Sequence, residues 1–357
     1  MERLEKLYAK LVFRLNTEKR MATARKLASL LRNDFTLMDA LGRLEMIESK
    51  NGKRPNEPFA IVMREWQKNL ERGMSFSDAT RGWVPPDETL LVTSGNLSNL
   101  VVALENVGHV VDGMQRIHRA MRGAVAYPMF LLALTFGIII MVGLYLVPPL
   151  AEVAGNDMVW RGMARSLIWL SGVATHYWFA FIIGFALVAG IIWMSMANWS
   201  GWLRSRFDSF PPWSIYRINI SVGWLMSLAA MVSAGITVPN AIRMLADNAN
   251  RYLASILERV LHFIANGDNL GVALNNADRN FPDPEIIGDL TIYADMNGFD
   301  ANLKHIANDY LEESVRRVDA ISNALNSVGI LLVSAIIAWV VLGTFQMQDQ
   351  ITAALSY

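Results

Sequence analysis

The chain of 357 residues contains no cysteine. That absence excludes disulfide bonds, zinc–thiolate centres and thiol nucleophiles, and it leaves the redox compartment open. Charge is also scarce, because only 18% of the residues are Asp, Glu, Lys or Arg, whereas soluble domains carry about 25%. The formal net charge is +0. A net charge of zero makes no case for a nucleic-acid surface, so we expect no nucleic-acid partner.

Three long apolar runs, residues 124–150, 177–199 and 328–346, contain no Asp, Glu, Lys, Arg or His. Each run is long enough, at about 1.5 Å per residue, to cross a hydrocarbon core of about 30 Å as a helix. Spans without ionisable groups have nothing with which to bind an ion or relay a proton. We therefore interpret the runs as membrane anchors and expect the function to lie in the polar segments.

The positive charges predict the orientation of these anchors. Residues 1–123 hold 20 Lys and Arg, residues 151–176 hold two, residues 200–327 hold 10, and residues 347–357 hold none. The first six residues contain no apolar signal core. We expect the N-terminus and both polar halves to be cytoplasmic, and the tail to lie outside.

The polar halves show helical spacing and no strand alternation, so the predicted fold class is an all-α membrane protein with two repeated, antiparallel cytoplasmic helical bundles and three transmembrane helices. The predicted segments are a first helical-bundle domain (1–123), a transmembrane helix (124–150), a periplasmic loop (151–176), a second transmembrane helix (177–199), a second helical-bundle domain (200–327), a third transmembrane helix (328–346) and a periplasmic tail (347–357).

Three short segments of the first half recur in the same order in the second half. Each combines a helix-capping residue or a glycine with the start of a helix, and Gly95 and Gly298 are expected at tight helix–helix turns with positive φ. Three matches in one order, each half leading into a span, indicate an internal duplication. The matches pair Thr36–Leu41 with Thr237–Ile242, Gly73 and Ser75 with Gly267 and Asn269, and Ser94, Gly95 and Leu100 with Asn297, Gly298 and Leu303.

A charged helix face leads directly into the first apolar run. Apolar residues recur every three or four positions across residues 98–120, which predicts an amphipathic helix. Four charged residues lie off the apolar stripe and are candidates for coupling to a partner: Glu105, Asp112, Arg116 and Arg119.

The N-terminal segment also predicts an amphipathic helix, with Leu4, Leu7, Leu11 and Leu15 on one face and basic residues nearby. Two interpretations remain open at this point. The helix can lie on anionic lipid or bind a partner, or it can be an ordinary first helix docked on its own bundle.

No motif predicts catalysis, a cofactor or a metal site. The histidines lack the i, i+4 spacing of a zinc helix, since His109 and His118 are nine residues apart. The acidic group Asp283, Glu285, Asp289 and Asp295 matches no Ca²⁺ loop, and carboxylates at a helix N-terminus explain it as well.

Short motifs that contain proline or glycine accompany the duplication. The first apolar run opens with Tyr127 and Pro128 and ends with Val147 and Pro148, and residues 233–235 read Ser-Ala-Gly. With the repeats, these motifs resemble the inner-membrane platform proteins of type IV pilus assembly and type II secretion systems. The chain departs from the family pattern of Glu, Glu and Ser or Thr at Val92, Asp295 and Asn297, which suggests a divergent branch such as the type IVb or conjugative thin pili.

The resemblance implies a multi-pass protein of the bacterial inner membrane that has no catalytic activity and no cofactor. Its implied partners are a hexameric cytoplasmic ATPase, pilin or pseudopilin, other inner-membrane assembly proteins, membrane lipid and further copies of the chain. The alternatives are a transporter subunit, which the uncharged spans disfavour, and a membrane-tethered scaffold outside any filament system. A neighbouring gene for pilin and one for a secretion ATPase would discriminate the platform from the scaffold.

Overall fold

A computed structural model describes residues 2–85, 88, 100–154, 158–199, 202–277, 281–294, 296 and 298–355. Within these ranges all regular structure is helical, which confirms the all-α prediction. The α-helices are α1 (Glu2–Leu15), α2 (Thr17–Arg32), α3 (Leu37–Glu48), α4 (Pro58–Glu71), α5 (Phe76–Thr80), α6 (Leu100–Met141), α7 (Val147–Ala154), α8 (Gly162–Asn198), α9 (Trp202–Phe207), α10 (Trp213–Ser233), α11 (Val238–Asp247), α12 (Arg251–Ala265), α13 (Leu270–Asn276), α14 (Pro284–Tyr293) and α15 (Phe299–Leu355).

The chain divides into two compact units. Unit 1 comprises residues 1–118 and 198–314, and unit 2 comprises residues 119–197 and 315–357. The division falls inside α6 and inside α15, so each of these long helices contributes its first part to unit 1 and the remainder to unit 2.

Unit 1 contains the duplication as a repeated order of helices. In the first half α2, α3, α4 and α5 follow one another before α6, and in the second half α10, α11, α12 and α13 occupy the same places, with α14 between them and α15. Consecutive helices pack against each other in both halves. The first half closes around the rings of Phe13, Phe59, Trp66 and Phe76, because large aromatic side chains bury the most apolar area in a small core.

Three helices of the described residues are long and apolar enough to cross a membrane: Leu100–Ala154, Trp213–Ser233 and Phe299–Ala354. The first and third contain the predicted runs 124–150 and 328–346. Their most apolar windows have mean hydropathies of 2.6 and 2.5 and are only 28% and 11% buried. Apolar surface of this kind is what a lipid-facing helix presents.

The helix Trp213–Ser233 is of a different kind. Its mean hydropathy is 1.4, and 61% of its window is buried inside unit 1, which makes it a core helix despite its length. The predicted second run, 177–199, lies in α8, where the stretch Ile182–Asn198 forms a shorter apolar helix. The backbone leaves helical geometry at Tyr177, the first residue of that run (φ −127, ψ 15).

Candidate functional site

The first part of α6 joins the two halves of unit 1. The Asn106 side chain is buried, and its amide nitrogen Nδ2 donates a hydrogen bond of 3.1 Å to the carbonyl of Ala230, 124 residues later in the chain. Ala230 lies in the last turn of α10, and its carbonyl also accepts a bond of 3.2 Å from the Ala234 amide. The Asn106 bond fixes the two helices at one register, because a shift would take this acceptor away from a buried amide.

Glycines and methionines interlock beside this bond. A Cβ atom on Gly113 of α6 would lie 2.5 Å from Sδ and Cε of Met226 on α10 and 3.0 Å from Cδ2 of Leu311 on α15. In the reverse direction, a Cβ on Gly223 would lie 3.2 Å from Sδ of Met114. Each glycine therefore makes room for a methionine of the other half. We define Asn106, Gly113, Met114, Gly223, Met226 and Leu311 as the inter-repeat joint.

The sequence contains a signal for this joint that the predicted sites do not include. Asn106 is a short polar residue next to Val107 on an otherwise apolar helix face, and such residues lower helix propensity unless they make a specific bond. Gly113 and Gly223 lie inside long helices, where glycine costs about 1 kcal/mol relative to alanine. Together these positions indicate a close helix–helix contact, although the sequence does not say with which helix.

Two of the coupling candidates form ion pairs inside the first half. Glu105 pairs with Arg32, and Asp112 pairs with Arg25 at 3.3 Å. The partners are seven residues apart on each helix and run in opposite directions, so α2 and α6 lie antiparallel and in register. All four side chains are at least one third exposed, so each pair contributes about 0–1 kcal/mol. These contacts orient α2 on α6 rather than stabilise the fold strongly.

The other two candidates, Arg116 and Arg119, are exposed one and two turns further along α6. Within the part of the chain that the structure describes, neither forms an ion pair with a carboxylate. The structure therefore separates the four predicted residues into two that hold α2 and two that present positive charge at the surface.

The repeat signature shows the same local geometry in both halves. Gly73 follows α4 with φ +82, and Gly267 follows α12 with φ +101. Two residues later, the Ser75 hydroxyl accepts a hydrogen bond from the Asp78 amide, and the Asn269 side chain accepts one from the Val272 amide. Positive φ favours glycine and each cap satisfies an amide that its helix leaves unpaired, so these residue types define the turn.

The last part of the signature is visible in the second half. Gly298 adopts φ +79 immediately before α15, as the repeat pattern predicts, and Leu303 is fully buried one turn later. In the first half Leu100 is buried at the start of α6. Ser94 and Gly95 lie outside the described residues.

A buried ion pair lies in each half. In the first, the Arg20 guanidinium donates to both oxygens of Glu88, with Nε to Oε2 at 2.8 Å and Nη2 to Oε1 at 2.6 Å. Its Nη1 donates to the carbonyls of Phe13 and Arg14 at the end of α1. One side chain thus connects α1, α2 and Glu88. Loss of either partner of a buried pair strands a charge in the core.

The second half buries Arg204, which is fully shielded from solvent. Its Nη1 lies 2.6 Å from Oδ1 of Asp208, and its guanidinium lies over the Tyr252 ring, 4.9 Å from the centroid. The Tyr252 hydroxyl donates to Oδ2 of Asp208 at 3.1 Å. Burial, followed by the negative charge of Asp208, raises the pKa of Tyr252 far above its usual value. The tyrosine therefore stays protonated and keeps donating to the carboxylate.

In unit 2 the proline motifs differ in effect. α6 continues without interruption through Pro128, and the neighbouring Tyr127 is exposed. Pro148 lies in the first turn of α7, directly after a π-helical turn over Val142–Leu146. Within this wider turn, the Gly143 carbonyl accepts a hydrogen bond of 2.6 Å from the Ser171 hydroxyl of α8. A proline lacks the amide that an α-helix needs, and a π turn is one way to accommodate that loss.

Two glutamines of α15 hold the start of α8. Gln346 Oε1 accepts from the Met163 amide at 2.7 Å, while Gln350 both accepts from the Arg161 amide and donates to its carbonyl at 3.1 Å. Gly162, between them, has φ +62, and a Cβ there would lie 2.7 Å from Gln346 Oε1. We call Gln346 and Gln350 the glutamine clip.

Among the described residues, no group of three or more His, Asp and Glu side chains lies close enough together to hold a metal ion. Of the acidic group, Asp283 is the N-cap of α14 and accepts from the Glu285 amide at 3.1 Å, which is a structural role. Asp295 lies outside the described residues.

The fold defines a class of membrane protein: a duplicated helical bundle in which each half continues into an apolar helix. Comparison with known families identifies the family to which the chain belongs. The model of the family "Type II secretion system (T2SS), protein F" matches the chain twice, over residues 23–148 and 224–346. The chain belongs to this family, and the double match confirms the predicted resemblance and the duplication. The family comprises inner-membrane proteins, in agreement with the apolar helices.

Individual relatives point the same way. The chain is 23% identical to the type IV pilus assembly protein PilC of Thermus thermophilus over 354 residues, which cover 93% of this chain and 82% of that protein. It is 22% identical to the type 4 fimbrial assembly protein PilC of Pseudomonas putida over 332 residues, or 90% and 81% of the two chains.

Proposed function

We propose that this protein is the platform on which a cytoplasmic assembly ATPase acts to extract pilin or pseudopilin from the membrane into a growing filament. The observation that carries the proposal is that both family repeats end in one long helix, α6 or α15, whose first part is packed in unit 1 and whose remainder is apolar. A continuous helix transmits a displacement along its axis better than a loop does.

The inter-repeat joint adds a second argument. Asn106 and Gly113 tie α6 to the second half, so a movement imposed on either half would reach both long helices. The proposed protein does not hydrolyse ATP and needs no cofactor. Its proposed partners are the ATPase, pilin or pseudopilin, other inner-membrane assembly proteins and further copies of itself.

For orientation, we propose that residues 1–123 and 200–327 are cytoplasmic domains and that residues 151–176 and 347–357 are periplasmic, joined by spans at 124–150, 177–199 and 328–346. The cysteine-free chain makes single-cysteine labelling unambiguous. In spheroplasts, a membrane-impermeant maleimide should label Val159→Cys and leave Asn51→Cys and Glu258→Cys unlabelled until the membrane is permeabilised. These three positions are exposed. Labelling of Asn51→Cys in intact spheroplasts would contradict the orientation.

The surface that we propose for coupling is the positive end of the α6 face, Arg116 and Arg119. Changing both to Glu should abolish filament assembly while leaving the protein folded, because neither side chain is buried. The matched control is Lys53→Glu with Arg54→Glu, which makes the same change in charge at two exposed residues of the loop before α4. Since positive residues next to a span also direct insertion, the labelling pattern of each variant must equal that of the parent.

Association with the ATPase is the decisive measurement. Full-length protein from native membranes should co-purify with a cytoplasmic assembly ATPase, and the Arg116→Glu, Arg119→Glu variant should lose that association while the control retains it. If no ATPase co-purifies and deletion of the gene leaves filaments and secretion intact, the platform proposal is wrong, and a membrane-tethered scaffold is the better interpretation.

A further inference from the structure

Helix α1 is a docked part of unit 1. Ala9 and Phe13 are completely or almost completely buried, and the Phe13 ring lies 4.8 Å from that of Phe59 and 5.5 Å from that of Trp66. The Lys6 ammonium pairs with Glu65 of α4 at 2.9 Å. This side of α1 therefore has its partners within the chain, and the helix holds a fixed orientation on the bundle.

The opposite side of α1 is apolar and uncovered. We call it the leucine stripe, and its exposed fractions are Leu4 72%, Leu7 63%, Tyr8 62%, Leu11 58% and Leu15 74%. The intervals of three and four residues place all five side chains on one face of the helix. A contiguous apolar patch of this kind on a folded surface marks a contact with something else.

Positive charge borders the stripe. Arg14 is exposed beside the leucines, and Lys10, four residues earlier on the same flank, is half-buried with its Nζ close to Gly82. Neither has a carboxylate partner among the described residues, whereas Lys6 and Lys19 are paired with Glu65 and Glu48. Apolar side chains flanked by unpaired Lys and Arg form the pattern of a helix that lies in a membrane interface, with the apolar face in the acyl region and the cations at lipid phosphates.

We propose that α1 binds the surface of an anionic lipid bilayer through the leucine stripe, with Arg14 at the lipid headgroups and Lys10 reaching them by a change of side-chain rotamer. A lipid surface fits better than a protein partner because the chain's own spans keep the bilayer at a high effective concentration, so a weak surface suffices.

The test places a probe on the stripe of the full-length protein. Leu11→Cys, labelled with an environment-sensitive fluorophore, is reconstituted into nanodiscs of phosphatidylglycerol and phosphatidylcholine, with or without a doxyl quencher near the headgroup. The matched control is Asn51→Cys, an exposed loop position of the same unit. We expect quenching at position 11 at least twice that at position 51, and a loss of half or more of it in phosphatidylcholine alone.

A charge reversal tests the cations. Lys10→Glu with Arg14→Glu, in the Leu11→Cys background, should reduce the quenching at least twofold, whereas Lys50→Glu with Lys53→Glu should not. Lipid quenching at position 11 no greater than at position 51 overturns the proposal. So does a probe shielded from aqueous iodide yet untouched by the lipid quencher, which would mean that protein covers the stripe. Disulfide cross-linking of unlabelled Leu11→Cys between two copies would identify that protein as a second copy. None of these outcomes depends on the ATPase, so the platform proposal is tested separately.

Discussion

Replacing glycine by alanine should raise the free energy of unfolding at one position of α6 and lower it at another. Alanine in place of glycine inside a helix is favourable by about 1 kcal/mol, because the glycine loses more backbone entropy on folding. At Gly108 an added Cβ meets nothing within 4 Å, so Gly108→Ala should realise most of that gain. At Gly113 the Cβ would approach Sδ and Cε of Met226 to 2.5 Å and Cδ2 of Leu311 to 3.0 Å. The end of a methionine is flexible, but Met226 is buried and has little room to move, so the overpacking costs about 1–3 kcal/mol. Gly113→Ala should thus be destabilising by about 0–2 kcal/mol.

The difference between the two variants, about 1–3 kcal/mol, corresponds to a separation in melting temperature on the order of 5 °C for a unit of this size. Tryptophan fluorescence melts of full-length protein in one detergent measure it directly. Met226→Ala, combined with Gly113→Ala, should cost less than the two single changes added together, because the clash disappears with the methionine. If both glycines respond alike, or if the pair is additive, α6 and α10 do not interlock at this point.

Arg20→Met or Glu88→Gln alone should lower the free energy of unfolding by about 3–5 kcal/mol, and the double change should cost less than their sum in a double-mutant cycle, since each single change strands a buried partner. Gln350→Ala should cost about 1–3 kcal/mol and speed amide exchange at residues 159–162, while Gln348→Ala, exposed on the same helix, should change neither. Tyr252→Phe should remove a pH-dependent part of the stability. The pKa of Tyr252 is higher in the folded than in the unfolded protein, so the stability that it contributes is present below about pH 10 and is lost as the pH rises further. If parent and variant lose stability in parallel above about pH 10, the pKa of Tyr252 is not raised by burial.

Features that depend on neighbouring residues in the chain could be predicted from the sequence. Ser75 and Asn269 cap their helices as their positions after Gly73 and Gly267 predict, because a cap and a C-terminal glycine act over a few residues. The Thr237 position shows the limit of this reasoning. It is the N-cap of α11 as expected, yet its side chain makes no capping bond, unlike that of Thr36.

Features that depend on distant partners could not be predicted. Arg204 follows the second apolar run and indicates by position a cation facing the cytoplasm, but the structure buries it against Asp208 and Tyr252. The hydropathy of Trp213–Ser233 permits a span, and only its burial identifies it as a core helix. In both cases the outcome depends on which distant residues cover the side chains. The spacing of residues along the chain carries no information about those residues.

The π-helical turn makes residues 142–146 sensitive to length, while its exposed position 145 tolerates a change of side chain. A π turn holds one residue more than the α turn it replaces, so everything beyond it is rotated by about 100° around the helix axis. Val147 reaches the core of unit 2 only with that rotation, packing there with Leu167 of α8 and Met347 of α15. Tyr145, inside the turn, is 76% exposed. A related chain can therefore change the residue at position 145 freely, but one that deletes it must turn a different face of α7 toward α8 and rebuild the contact.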